Sequence, residues 1–247
     1  MMDFSKVVEK IKPSIAFIIT GNGTGSGFVF QKKGILITCN HVVEGNQFVS
    51  IRFPDIDNFI HAEVVLRDNE HDLAILKFQD DSRHPLSVCE VSNIKEGMPV
   101  IFSGYPLDLQ VLTTHQGILS SISKDQTGKT NYLIDGTVNS GNSGCPLMDK
   151  NGDVVGIVNA KNIGQFSGSD LFNKVKSMSS GLVSISGVDI SMILKILSSN
   201  TQMGIGYAVP VSYVPEHKDV SDILVEKVVI EDDGKKDVKD KTKIIKL

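Results

Sequence analysis

The chain has few cysteines, no long apolar run and no excess of positive charge. Its three cysteines, Cys39, Cys89 and Cys145, form an odd set without the spacing of a disulfide-built scaffold. That argues against a small stapled secreted fold and for a reducing compartment, so a cytoplasmic location is the expectation. The longest apolar runs, Ile15 to Ile19 among them, fall far short of the roughly 20 residues a membrane helix requires. No transmembrane segment and no membrane partner is therefore expected. The start, Met1 to Lys12, mixes Asp3, Lys6, Glu9 and Lys10 with its apolar residues and lacks the apolar core of a signal peptide. A formal charge of -4, from 25 basic and 29 acidic residues spread along the chain, leaves no basic field to hold nucleic acid.

What the chain does contain is strand signal. Phe4, Val7, Val8 and Ile11 recur at helical spacing after a cap at Asp3, and Pro13 ends the pattern, which predicts one short amphipathic helix. Six runs rich in β-branched and aromatic residues follow: Ile15 to Thr20, Gly27 to Phe30, Ile35 to Thr38, Phe48 to Phe53, Ile60 to Arg67 and Leu73 to Phe78. Gly, Asn, Asp or Pro bounds each one, as expected of strands, and the even spacing suggests a closed antiparallel barrel over about 14–80. The glycine-rich stretch Gly21 to Gly27 lacks the lysine and helix of a phosphate loop and is read as a hairpin turn.

A linker over Gln79 to Glu96 precedes a second series over about 97–211: Pro99 to Ser103, Val111 to Ser121, Tyr132 to Ile134, Pro146 to Met148, Val154 to Asn159 and Gly206 to Val209. The fold class is thus all-β, with two similar six-stranded antiparallel barrels. The second series is interrupted at 161–203, a Ser- and Gly-rich insertion expected to turn helical from Val188 to Leu197, with Ile190, Ile193, Leu194 and Leu197 on one face. Loops of this length are usually lids or disordered segments, so the insertion is expected either to gate a site or to dock on the barrel. A short terminal helix through Val220, Ile223 and Leu224 and a Lys/Asp-rich tail are expected over 216–247, with no further domain expected there.

Three short stretches carry chemistry. Val138-Asn139-Ser140-Gly141-Asn142-Ser143-Gly144-Cys145-Pro146-Leu147 presents a hydroxyl on a tight turn between two β-runs. Serine works as a nucleophile only beside a base and near preorganised donors for the developing oxyanion. Taken alone the stretch reads equally as a β-turn. In Thr38-Cys39-Asn40-His41-Val42-Val43 a histidine directly follows a strand, where it is held as a base would need; a lone His is more often a partly buried structural residue. In His71-Asp72-Leu73-Ala74-Ile75-Leu76-Lys77 an aspartate heads an apolar strand, suited to orienting an imidazole, and alone would be a turn residue.

Together the three resemble the trypsin-like serine proteases of the HtrA (DegP-like) branch, whose pattern is matched by Gly25-Ser26-Gly27-Phe28, Thr38 with His41-Val42, Asp72-Leu73-Ala74 with Leu76-Lys77, and Gly141-Asn142-Ser143-Gly144 with Pro146-Leu147. Gly152 with Val155-Gly156-Ile157 and Gly204 to Pro210 extend the match over roughly 5–215. The resemblance implies a chymotrypsin-like double barrel and a serine endopeptidase. Ser143 would be the nucleophile, His41 the base and Asp72 its orienter, with the Gly141 and Ser143 amides as oxyanion hole. It also implies that Thr137 lies at the base of the specificity pocket and Asn159 and Ala160 near its wall. An uncharged, small or medium apolar residue would then precede the cut. Ile157 to Asn159 would pair with a polypeptide substrate as an added strand.

The match departs from the family at Cys145, where a second glycine is usual, and Cys145 is expected to pack rather than react. No Ile-Val-Gly-Gly start exists, and Asn142 stands in place of the aspartate that pairs with a processed terminus, so no zymogen cleavage is expected. No room for a PDZ module is expected. His61, His71, His84, His115 and His217 show no zinc-ligand spacing, and neither a metal nor another cofactor is expected. The rival reading is a catalytically silent or chaperone-like peptide-binding module on the same fold. The sequence leaves the oligomeric state open.

Overall fold

The computed structural model describes residues 3–80, 82–160, 184–185, 188–189 and 204–214. Met1–Val214 forms one compact unit and Pro215–Leu247 a second. The predicted C-terminal helix falls in the second unit and lies outside the described residues.

Helix α1 (Ser5–Ile11) buries Phe4 and Ile11 and half-buries Val7 and Val8. Phe4 is its N-cap, while Asp3, one residue earlier, accepts a hydrogen bond from the Ser5 amide at 2.9 Å. The strands of the first barrel are β1 (Ile15–Thr20), β2 (Gly23–Val29), β3 (Ile35–Cys39), β4 (Phe48–Arg52), β5 (Ile60–Asp68) and β6 (Leu73–Phe78). They close in the order β1-β2-β3-β6-β5-β4, all pairs antiparallel. The second barrel is built from β7 (Pro99–Gly104), β8 (Thr113–Lys124), β9 (Thr130–Asp135), β10 (Pro146–Met148), β11 (Val154–Val158) and, after a short pairing of β12 (Ser184–Ile185) with β13 (Val188–Asp189), β14 (Ile205–Pro210). It closes in the order β10-β11-β14-β9-β8-β7. The fold is the expected pair of six-stranded barrels.

Closure leaves neither barrel with a free edge, and the interior of each is filled by alternate side chains. Phe17, Phe28, Phe53 and Phe102 are fully buried, each contributing about 1.5–3 kcal/mol relative to exposure. Met148, Val154, Ile157 and Val209 of the second barrel pack into the cluster formed by the first. The linker joins them further: Leu86 pairs with Phe30, and Val88 with Val154. Arg83 is its anchor, donating to Asp55, Asp80 and the Pro13 carbonyl, with its guanidinium 4.4 Å from the Phe53 ring centroid.

Two expectations change. The glycine-rich stretch after β1 turns only at Gly21 and Asn22; Gly23 to Gly27 belong to β2. The glycines there answer to close packing, since a Cβ at Gly25 would sit 2.5 Å from Val42 Cγ1 and one at Gly27 would overlap Leu36. Val188 and Asp189 are strand rather than the start of a helix, paired antiparallel with Ile185 and Ser184. The remainder of the predicted insertion helix lies outside the described residues.

Candidate active site

β3 carries the first piece. All five of its residues are buried, and a short 3-10 turn (Asn40–Val42) follows directly, so His41 stands on a rigid strand end. Register brings up the second: β3 pairs with β6, with Thr38 opposite Ala74 and Cys39 opposite Leu73. Asp72, just ahead of β6, thereby meets His41 although 31 residues separate them, and its carbonyl accepts the Asn40 amide at 2.9 Å. Asp72 adopts φ +57°, a left-handed conformation uncommon for a non-glycine residue but one that aspartate tolerates better than most.

The third piece comes from the second barrel, on the turn between β9 and β10. Gly141 (φ +91°) and Gly144 (φ +87°) make that turn. A Cβ on Gly141 would overlap the Tyr105 carbonyl oxygen, and one on Gly144 would overlap the Ser26 carbonyl and Thr38 Oγ1. Ser26 stitches the turn to β2: its amide donates to the Ser143 carbonyl at 2.9 Å and its hydroxyl to the Gly141 carbonyl at 2.7 Å. Thr38 Oγ1 donates in turn to the Ser26 carbonyl at 2.7 Å. The sequence motif around Ser26 was visible, but its role as the link between barrels requires the fold.

The side chains form one chain of hydrogen bonds. His41 Nδ1 lies 2.6 Å from Asp72 Oδ2, and His41 Nε2 lies 2.9 Å from Ser143 Oγ. Asp72 Oδ1 accepts the His41 amide at 2.9 Å, and Oδ2 also accepts Asn159 Nδ2 at 2.9 Å. Burial alone would raise the Asp72 carboxyl, but the hydrogen bonds and charge of His41, with Asn159, outweigh it and hold the group below its ordinary range. An ionised carboxylate only accepts, so the imidazole proton belongs on Nδ1 and Nε2 is an acceptor. Ser143 Oγ accepts the Ala160 amide at 3.2 Å, which leaves its hydroxyl proton to be donated to Nε2.

Among the other predicted residues, Asn159 is buried and touches Asp72, and Ala160 touches Ser143. Thr137 is exposed on the loop after β9. Ile157 is not free to pair with a substrate: it is fully buried, and β11 is an interior strand, with Ile157 opposite Pro146 on one side and Val209 on the other. Val158 is likewise used, its carbonyl accepting the Gly144 amide at 2.8 Å. The Asn159 amide is used as well, donating to the Tyr207 carbonyl at 2.9 Å.

Cys145 is fully buried in the second barrel's core, and burial pushes its thiol well above the ordinary range, which suits packing rather than nucleophilic attack. Asn142 is also fully buried, and its side-chain amide has no partner among the described residues. A neutral amide in that position costs about 1–3 kcal/mol, less than an unpaired carboxylate would. Sequence reasoning missed Cys39, whose buried thiol donates to the Val158 carbonyl at 3.3 Å directly behind the His41–Asp72 couple.

Residues 25–157 match the trypsin-like peptidase domain family. A probable periplasmic serine endoprotease, DegP-like, of Hahella chejuensis is 36% identical over 138 residues, 54% of this chain and 29% of that protein. The mitochondrial serine protease HTRA2 of Bos taurus is 33% identical over 170 residues, 61% of this chain and 37% of that protein. The chain thus spans about a third of the length of the curated relatives it matches. In structure it resembles the HtrA-type protease AlgW with tripeptide, at a TM-score of 0.64 and 22% identity, over 93% of this chain and 64% of that one; this likeness concerns the fold. The names also correct the expected cytoplasmic location, because these relatives are periplasmic and mitochondrial. The cysteines did not discriminate: all three are buried, and a buried thiol persists in any compartment.

Proposed function

Because the chain belongs to the trypsin-like peptidase family, we propose that it is a serine endopeptidase in which Ser143 is the nucleophile, His41 the general base and acid, and Asp72 the group that orients His41. The observation that carries this reading is the continuous hydrogen-bond chain from Asp72 Oδ2 through His41 to Ser143 Oγ, at 2.6 and 2.9 Å. In acylation His41 Nε2 takes the Ser143 proton as Oγ attacks the scissile carbonyl, then returns it to the leaving amine; water repeats the sequence in deacylation. Asp72 stabilises the imidazolium and keeps the ring in the Nδ1–H tautomer.

The oxyanion would be held by the Gly141 and Ser143 amides. In a trans peptide the N–H points opposite to the carbonyl of the preceding residue. The Ser140 carbonyl accepts Leu107 N at 2.7 Å and the Asn142 carbonyl accepts Cys145 N at 3.0 Å. Both amides of the proposed hole are thus directed away from these internal partners. The substrate is a polypeptide that runs past Asn159 and Ala160 beside Ser143, with Thr137 at the base of a pocket for an uncharged residue. The rival, a silent peptide-binding module on the same barrels, predicts binding of unfolded polypeptide without cleavage. Incubating purified protein with casein separates the two: the proposal expects fragments from the wild type and none from Ser143→Ala, and intact casein with both proteins would leave the binding module.

A further inference from the structure

We propose that the His41–Asp72 couple and the thiol beneath it form a reversible inhibitory site for a divalent cation of the zinc class. The consequence for activity rests on the triad reading above; the binding itself rests on separate geometry. Cys39 Sγ, a ring nitrogen of His41 and a carboxylate oxygen of Asp72 all lie within 4.8 Å of one another. A tetrahedral zinc, with bonds of about 2.3 Å to sulfur and about 2.0–2.1 Å to nitrogen and oxygen, sets its ligand atoms about 3.3–3.6 Å apart. Shifts of about an ångström in side chains alone therefore bring the three into coordination.

The fold explains why these ligands escape a reading by sequence spacing. Cys39 ends β3 opposite Leu73, the residue after Asp72, so strand register and not sequence proximity assembles them. Cys39 forms the floor of the site, fully buried, while His41 and Asp72 are partly open, at 19% and 24% exposure. A cation enters from their side, and water takes the fourth position. Thiolate with imidazole selects zinc, cobalt or copper over magnesium and calcium, which prefer oxygen ligands throughout.

Binding switches off the nucleophile without touching it. The ring nitrogen beside Asp72 is Nδ1, and a metal there uses the lone pair exposed when the ring proton moves to Nε2. An Nε2–H donates toward Ser143 Oγ and has no lone pair to take its proton. The Cys39 S–H bond breaks as the sulfur–metal bond forms, and that proton goes to solvent with no change of oxidation state. One proton released per ion makes the affinity rise about tenfold per pH unit while the thiol is protonated.

The test uses the whole chain. Cobalt(II) titration should produce a thiolate-to-cobalt charge-transfer absorption in the wild type and in Cys89→Ala, and none in Cys39→Ser or Cys39→Ala; two replacements are made so that one folded variant suffices. Zinc should slow labelling of the wild type by a fluorophosphonate at least tenfold, with recovery on adding EDTA, while equal magnesium has no effect. Each Cys39 variant, scaled to its own metal-free rate, should need at least tenfold more zinc. Absence of the cobalt band at millimolar metal, or equal zinc sensitivity with and without Cys39, would overturn the proposal. If the metal-free wild type is not labelled at all, the protease reading fails instead, and the cobalt band still decides the site.

Discussion

Replacing Asp72 with Asn changes one atom and two protons, yet the hydrogen bonds predict a large loss. The carboxylate accepts three donors: the His41 amide on Oδ1, and His41 Nδ1 and Asn159 Nδ2 on Oδ2. If the new amide turns its NH2 toward the Oδ2 position, it faces Asn159 and forces His41 to accept at Nδ1, which places the ring proton on Nε2 and removes the base. If it turns the other way, its NH2 meets the His41 amide, leaving two donors opposed inside the site. The first arrangement opposes one side-chain pair that can rotate apart, whereas the second opposes a fixed backbone N–H, so the first should dominate. A wrong-tautomer imidazole lowers turnover in such triads by about 10⁴-fold, or about 5 kcal/mol of transition-state stabilisation. The assay is kcat/KM on a fluorogenic peptide near neutral pH, with circular dichroism to verify folding. A folded Asp72→Asn protein retaining more than a tenth of wild-type kcat/KM would refute the assignment of Asp72.

Three other outcomes follow from the same geometry. Gly144→Ala should abolish activity and destabilise the protein, because the added Cβ overlaps the Ser26 carbonyl and Thr38 Oγ1 at a backbone φ of +87°; wild-type turnover would show that the turn can move. Cys145→Ala should keep most activity and lose about 1–2 kcal/mol in a denaturant melt, the effect of a small core cavity; complete inactivity in a folded protein would give the thiol a role. In acid, Asp68 and Asp72 should both contribute a loss of stability: burial raises each carboxyl, but hydrogen bonds from His71 and His41 respectively win and leave both below the ordinary range. A depressed folded value gives stability that is fully present above the unfolded value of about 3.9 and is lost as pH falls through the folded value. Asp68→Asn should therefore flatten the acid limb of stability against pH, and an unchanged limb would count against that pairing.

Much of the fold was legible because a barrel repeats one local rule. β1, β6 and β10 begin and end where their apolar runs and bounding residues place them. The misreadings occur where distant packing decides. Gly25 and Gly27 look like turn residues locally, and only the approach of Val42 and Leu36 shows why a strand must carry glycine there. Likewise the motif points to His41, Asp72 and Ser143, but the contact of Asn159 with Asp72, the stitching by Ser26 and the position of Cys39 depend on strand register between residues far apart in sequence. Ile157 was misjudged for the same reason: its run reads as a strand, and only the sheet order shows that both its edges are taken.

The measurement that bears most directly on the proposed function is covalent labelling of the purified chain by a fluorophosphonate, mapped by mass spectrometry. One phosphonyl group per chain is expected, on the peptide that contains Ser143. Labelling should be lost in Ser143→Ala and reduced by several orders of magnitude in His41→Ala. An unlabelled wild type, a label on any other residue, or undiminished labelling of His41→Ala would contradict it.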